Sequence, residues 1–143
     1  MIDIDLQALA YVSDRIEKRT LKRQIKLVHG NLATGRQKVD IHDQDLVYSI
    51  GLIDYFDDKF VVKLLNYIYA TLAPGGKAIL GNFHSSNPCR AFCDYVLDWK
   101  LIHRTEEDMN RLYSASLFGR PCTNIRFEEA RDLLAERGRM VVE

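Results

Sequence analysis

The 143-residue chain reads as an α/β protein with a mostly parallel sheet covered by helices on both faces. Three observations carry that reading. Short apolar runs such as residues 25–29 and 46–50 alternate with longer stretches of helical periodicity through the first two thirds, the order that parallel strands joined by crossover helices require. Asp57-Asp58, Pro74-Gly75-Gly76 and Asn87-Pro88 punctuate these stretches where helices open or close. With 47% hydrophobic residues, 28% charged and only 3 prolines, the composition is that of one ordinary folded domain, residues 1–143.

Met1 to Leu6 finish a strand and open a helix at once, with Asp5 as its cap and Leu6, Leu9, Val12 and Ile16 at helical spacing. Residues 25–29 form a second strand, stopped by Gly30-Asn31. "DLVYSIGLIDYF" supplies the third, about residues 46–50, and Asp57 and Asp58 then place negative charge at the positive end of the next helix. In that helix Phe60, Val61, Leu64, Leu65, Ile68 and Leu72 form one apolar face, which Pro74-Gly75-Gly76 ends. Residues 77–83 return as a strand.

Asn87-Pro88 predicts a third helix with Asn as cap and Pro at its first position, its buried stripe made of Ala91, Phe92, Tyr95, Val96 and Trp99. A fourth opens at Thr105 with Asp108 three residues on, a capping box with Asp in place of Glu; Met109, Leu112 and Tyr113 face the core, and Gly119-Arg120-Pro121 closes it. Residues 122–129 alternate as a strand with Ile125 and Phe127 on one face, and residues 131–137 fit either a helical turn or the return strand of a hairpin.

Twenty basic residues balance twenty acidic ones, which removes the charge argument for a nucleic-acid partner. The local basic run, Arg15, Lys18, Arg19, Lys22, Arg23 and Lys26, reads as a solvated helix face, since no aromatic residue is interleaved after Tyr11. Cys89, Cys93 and Cys122 are an odd number without metal-ligand grouping and read as small apolar residues in a reducing compartment; no metal is expected. No run approaches ~18 apolar residues and no basic-then-apolar leader opens the chain, so a cytoplasmic protein without membrane contact is expected.

In a sheet of this kind ligands bind beyond the carboxyl ends of the strands. Four segments therefore become candidates for one rim: Asp3-Ile4-Asp5, Gly30-Asn31-Leu32, Ser49-Ile50-Gly51-Leu52 and Asn82-Phe83-His84. Their residues and order also carry a resemblance. "IDID" before a helix, "HGN" after a strand, "DLVYSIGLIDYF" and "LAPGGKAILGNF" together resemble the class I S-adenosylmethionine-dependent methyltransferases, from that family's second strand to its end. "GNFHSSNPCRAF", "DWKLIHRTEEDM" and "FGRPCTNIRFEE" look like a bacterial subgroup associated with making hydroxy fatty acid methyl esters.

The resemblance implies a Rossmann-like methyltransferase sheet with a C-terminal antiparallel hairpin, S-adenosylmethionine as cofactor and a small-molecule acceptor. Asp3 would accept hydrogen bonds from the ribose hydroxyls with Ile4 beside it, and Asn31 and Leu32 would lie at the adenine. Ser49, Ile50 and Gly51 would pass under the methionine part, glycine admitting close approach. Tyr55 and His84 would face the substrate. Transfer to a carboxylate is a displacement by an already ionised nucleophile and needs alignment more than a base, so no catalytic residue is assigned. For a hydroxyl or amine acceptor, His84 is the first candidate base.

The family's first strand and its glycine-rich turn have no counterpart among these 143 residues; the glycines, at 30, 35, 51, 75, 76, 81, 119 and 138, lack the spacing. In the family that strand lies centrally, between the second and the fourth, so its loss predicts a slot and two strand edges in need of pairing. An internal Met start, a natural truncation and a half-domain completed by a partner chain all fit. Two function classes follow: a methyltransferase needing upstream residues or a partner, and a non-catalytic module that self-associates through exposed strands. A nucleotide-binding or dehydrogenase-like protein fits less well, because neither a phosphate-binding glycine loop nor hydride-transfer residues are present.

Overall fold

The computed structural model describes residues 1–18, 25–32, 41–127 and 139–143. The chain divides into two compact units, Met1–Asp40 and Ile41–Glu143. In the first, β1 (Ile2–Asp3) pairs in parallel with β2 (Val28–His29), joined across α1 (Leu6–Lys18). Asp5 caps α1 as predicted: its Oδ1 accepts from the backbone N–H of Gln7 at 2.7 Å and of Ala8 at 3.3 Å. Leu9 and Ile16 are buried, whereas Leu6, placed in the stripe from sequence, is the first helical residue and stands exposed.

Two members of the basic run meet local partners. Lys18 pairs with Asp14 at 2.7 Å and the Arg15 guanidinium lies 5.0 Å from the centre of the Tyr11 ring; Arg19, Lys22 and Arg23 lie outside the described residues.

The second unit holds β3 (Gln44–Ile50), α2 (Asp58–Thr71), β4 (Leu72–Phe83), α3 (Arg90–Tyr95), α4 (Glu106–Ser114), β5 (Ile125–Phe127) and β6 (Arg139–Val142). Its sheet runs β3-β4-β6-β5. β3 and β4 are parallel, while β6 lies antiparallel to both β4 and β5, so the C-terminal antiparallel hairpin is present and the sheet is mixed. β3 stands at the edge of this sheet with Leu46, Tyr48 and Ile50 exposed. Gly81 permits close approach of β3 and β4: a Cβ there would sit 3.1 Å from Ile50 Cγ2.

α2 forms where the acidic pair predicts it. Asp57 is the cap, its Oδ1 accepting from Phe60 N at 2.8 Å, and Val61, Leu64, Leu65 and Ile68 are buried. Its end differs from the expectation. The helix closes at Thr71 and runs straight into β4, so Pro74-Gly75-Gly76 forms an irregular first part of the strand, where the register slips between Gln44 and Leu46. Gly75 has φ +81°, and a Cβ on Gly76 would lie 2.6 Å from Gln44 O, so the glycines shape a bulge rather than a stop.

α3 overturns the predicted stripe. Ala91, Phe92, Tyr95, Val96 and Trp99 are all exposed, Tyr95 to 88%, and Cys93 is the residue of this helix that is buried. Asn87 does not cap the helix either; its Oδ1 accepts from Cys89 N at 3.0 Å in a turn, and α3 begins only at Arg90. The apolar spacing recorded a helix but not a packing partner.

In α4 the reciprocal capping box of Thr105 and Asp108 forms, and Met109, Leu112 and Tyr113 are buried. The helix stops at Ser114, earlier than Gly119; Ser116 Oγ donates to Tyr113 O at 2.7 Å and turns the chain first. Ile125 and Phe127 form β5 as predicted; residues 128–129 and 131–137 lie outside the described residues. Among the described residues no helix is long and apolar enough to cross a membrane.

Candidate functional site

Because β3 and β4 are parallel, their carboxyl ends open on the same edge of the second unit, and the chain segments leaving them build the candidate site. Ser49 and Ile50 close β3, and Gly51 follows with φ +82°, its N–H reaching Gly81 O at 3.4 Å. That left-handed turn is open to glycine at little cost and strained for other residues. The chain then folds into a short 3-10 helix, Ile53–Tyr55, before Asp57 starts α2.

What fixes this exit is an arginine that the sequence reading did not single out. Arg104 is 2% exposed and its guanidinium reaches three parts of the fold. Nη1 donates to Ile53 O at 3.0 Å and to Asn82 Oδ1 at 2.8 Å, Nη2 to Phe56 O at 2.7 Å and to Asp58 Oδ1 at 3.0 Å, and Nε to the same Asp58 oxygen at 3.2 Å. A buried planar fork with five donors suits a place where several carbonyls converge. Arg111 extends the network on the surface, bridging Asp58 at 2.7 Å and Asp108 at 3.0 Å. Its hydrogen bond is the main cause that holds both carboxyls below their ordinary range.

Asp54, 1% exposed, completes the exit from β3: its Oδ1 accepts from Phe83 N at 2.8 Å, and its backbone O accepts from Ile102 N at 2.7 Å. Asp54 and Arg104 thus hold the ends of β3 and β4 and the strand-like segment before α4 together.

His84 follows β4 and is buried, 7% exposed. Its Nε2 lies 3.0 Å from Glu106 Oε2, its Nδ1 lies 2.6 Å from Ser86 Oγ, and Ser86 N donates to Nδ1 at 3.2 Å. The Phe127 ring meets it edge-on at 5.2 Å. A backbone N–H can only donate, so Nδ1 is the unprotonated nitrogen and Nε2 carries the proton toward the carboxylate.

Tyr55 belongs to a different cluster. Its exposed hydroxyl accepts from Trp99 Nε1 at 3.0 Å, and Phe83 packs edge-on against Trp99 at 6.1 Å. The two residues assigned to the substrate from sequence therefore sit in separate hydrogen-bonded groups after the parallel strands.

In the first unit Asp3 and Ile4 leave β1 beside Gly30 and Asn31 leaving β2; Gly30 N donates to Asp3 O at 2.9 Å. Asp3 Oδ1 accepts from Asp5 N at 2.9 Å, so one carboxylate oxygen serves the local turn. His29 Nε2 lies 3.1 Å from Ile4 O, the Ile4 side chain is exposed, and Asn31 and Leu32 are half-buried.

Sequence reasoning missed Arg104, Ser86 and Glu106 and gave Asp54 no role. A cue was present for two of them: Arg104 is a charge set between Leu101-Ile102 and the Thr105 cap, and Ser86 lies two residues after a histidine at a strand end.

No family model matches the chain, and no curated protein matches it by sequence. Solved structures do match by fold. A possible exported protein from Bordetella parapertussis superposes with TM-score 0.70 at 23% identity, over 99% of this chain and 51% of that one. A SAM-dependent methyltransferase from Leishmania major gives 0.69 at 14% identity, covering 99% and 52%. Magnesium protoporphyrin IX methyltransferase from Synechocystis PCC 6803, with bound SAH, gives 0.70 at 10% identity, covering 99% and 60%. The chain spans about half the length of the first two of these structures. At such identities the likeness establishes the architecture: the chain has the Rossmann-like α/β fold of these methyltransferases.

Proposed function

We propose that this chain takes part in S-adenosylmethionine-dependent methyl transfer to a small-molecule acceptor, a carboxylate or a hydroxyl. The observation that carries the reading is the match of nearly the whole chain to methyltransferase structures, one of them with SAH bound, together with a positive-φ glycine where β3 leaves the sheet. Each unit, taken by itself, carries residue types that suit part of the cofactor. Asp3 offers a carboxylate, which only accepts, to ribose hydroxyls beside the exposed Ile4; Asn31 and Leu32 suit the adenine, and Ser49, Ile50 and Gly51 offer close backbone approach to the amino-acid part. When bound, the cofactor supplies an electrophilic methyl group on a sulfonium. Tyr55 and His84 are assigned to the acceptor side, and a hydroxy fatty acid, the substrate class of the subgroup noted above, is one such acceptor.

The activity draws on residues beyond those described, supplied upstream or by a partner chain. A second reading, a non-catalytic module that self-associates, is favoured by the exposed Leu46, Tyr48 and Ile50 on the edge strand β3. A cytoplasmic setting belongs to the same proposal.

Calorimetric titration with S-adenosylhomocysteine tests the reading. The isolated 143-residue chain should bind weakly or not at all, and the chain completed by upstream residues or its partner should bind in the micromolar range, lost in Gly51→Val. Micromolar binding by a monomer of the isolated chain overturns the need for completion. A completed protein that binds nothing overturns the methyltransferase reading and leaves the module.

A further inference from the structure

We propose that Ser86, His84 and Glu106 form a proton relay that receives a phenolic hydroxyl, Ser86 Oγ being the contact atom, His84 the base and Glu106 the positioning residue. The inference rests on the methyltransferase reading for the fate of the hydroxyl, but not for its binding.

One backbone donor sets the tautomer of His84. Ser86 N donates to His84 Nδ1 at 3.2 Å, so Nδ1 presents a lone pair and Nε2–H points at Glu106 Oε2, 3.0 Å away. Ser86 Oγ, 2.6 Å from the same Nδ1, must then donate its one proton there. A hydroxyl has one donor and two acceptor sites. With the donor spent on Nδ1, exposed Ser86 shows only lone pairs to an incoming group. A neutral O–H can bond there, whereas a carboxylate, which only accepts, cannot.

The same arrangement can move a proton. An O–H bound at Ser86 passes its proton to Oγ as Oγ passes its own to Nδ1; the O–H electron pair stays on the acceptor oxygen, and the imidazolium is held by the Glu106 carboxylate through Nε2–H. Nothing leaves except that one proton, and the oxygen gains the electron pair that an electrophilic carbon consumes. Acidity selects the substrate class. A phenol, which ionises near ~10 as tyrosine does, lies far closer to an imidazole than an aliphatic alcohol does. The Phe127 ring, 5.2 Å from the His84 ring and nearly perpendicular to it, provides apolar surface beside the base.

The test uses the full 143-residue chain with 15N-labelled histidine rings and long-range proton–nitrogen NMR, first alone and then titrated with phenol and with benzoate. Expected are the Nε2–H tautomer at His84, a saturable shift of its Nδ1 on adding phenol, and no such shift with benzoate. Ser86→Ala should weaken the phenol response about tenfold, the loss of one hydrogen bond, and Ser86→Thr, which keeps the hydroxyl, should restore it. Glu106→Gln should mix the tautomers while the backbone amide spectrum stays dispersed. An Nδ1–H tautomer in the wild type, a silent Nδ1 with phenol, or a response to benzoate in its place overturns the relay. No cofactor enters these measurements, so a chain that shows the phenol response yet whose completed form fails to bind S-adenosylhomocysteine keeps the relay and loses the methyltransferase reading.

Discussion

α2 and α3 carry much the same signal in sequence and meet opposite fates. Each has apolar residues at helical spacing behind a capping signal, yet Val61, Leu64, Leu65 and Ile68 of α2 are buried while Phe92, Tyr95 and the following Val96 and Trp99 are exposed. The difference lies in what each helix docks on. α2 is capped by Asp57, opens on the Asp58 carboxylate that Arg104 and Arg111 grip, and packs against β4 and α4. α3 follows Cys89, whose side chain makes no cap, and buries Cys93 alone within its six residues. Periodicity reports that a helix has a face; burial depends on whether the rest of the fold supplies a surface for it.

The largest effect should come from the arginine that anchors α2. Arg104→Ala leaves Ile53 O, Phe56 O, Asn82 Oδ1 and Asp58 without their shared donor, and urea unfolding should show a loss of about 3–5 kcal/mol. A loss under ~1 kcal/mol would mean that the buried fork does not hold the exit from β3.

The comparison itself is probed by a matched pair. Leu65→Ala, at a position with 0% exposure, should cost about 2–5 kcal/mol, while Tyr95→Ala, at 88%, should stay within about 0.5 kcal/mol. Equal costs would show that α3 is packed after all.

The smallest expected effect is an acid one at the start of α2. Asp58 and Asp108 have folded-state pKa values lowered from the ordinary 3.8, first by the Arg111 hydrogen bond. A depressed carboxylate contributes stability that is fully present above its ordinary value and disappears as pH falls through the depressed one. Both side chains are more than a third exposed, so solvent screening limits the gain to roughly 0–1 kcal/mol. Arg111→Met should therefore be slightly less stable than the wild type at pH 7, with the two converging as pH drops below the ordinary value. A gap that persists in acid would assign it to packing instead.

Local chemistry was legible wherever adjacent residues settle it. Asp5 as a cap, the acidic pair at the start of α2, the Thr105–Asp108 box and the strand ending at Ile50 each depend on groups a few residues apart. The order of elements, which local pattern encodes, sufficed to identify the architecture. The site was legible in position more than in partnership. The ends of β3 and β4 were named from sequence, but Glu106 is 22 residues from His84 and Arg104 is 51 residues from Ile53, and nothing in a one-dimensional pattern pairs groups so far apart.

By itself the sequence determined which segments become helices and strands, because propensity, caps and turn glycines act through neighbouring backbone groups. Only the tertiary structure decided that Pro74-Gly75-Gly76 joins a strand, that the apolar residues of α3 stay in solvent, and that His84 meets Glu106. Each of those outcomes turns on burial or on a hydrogen bond between distant residues, and such interactions exist only once the strands have set the elements beside one another.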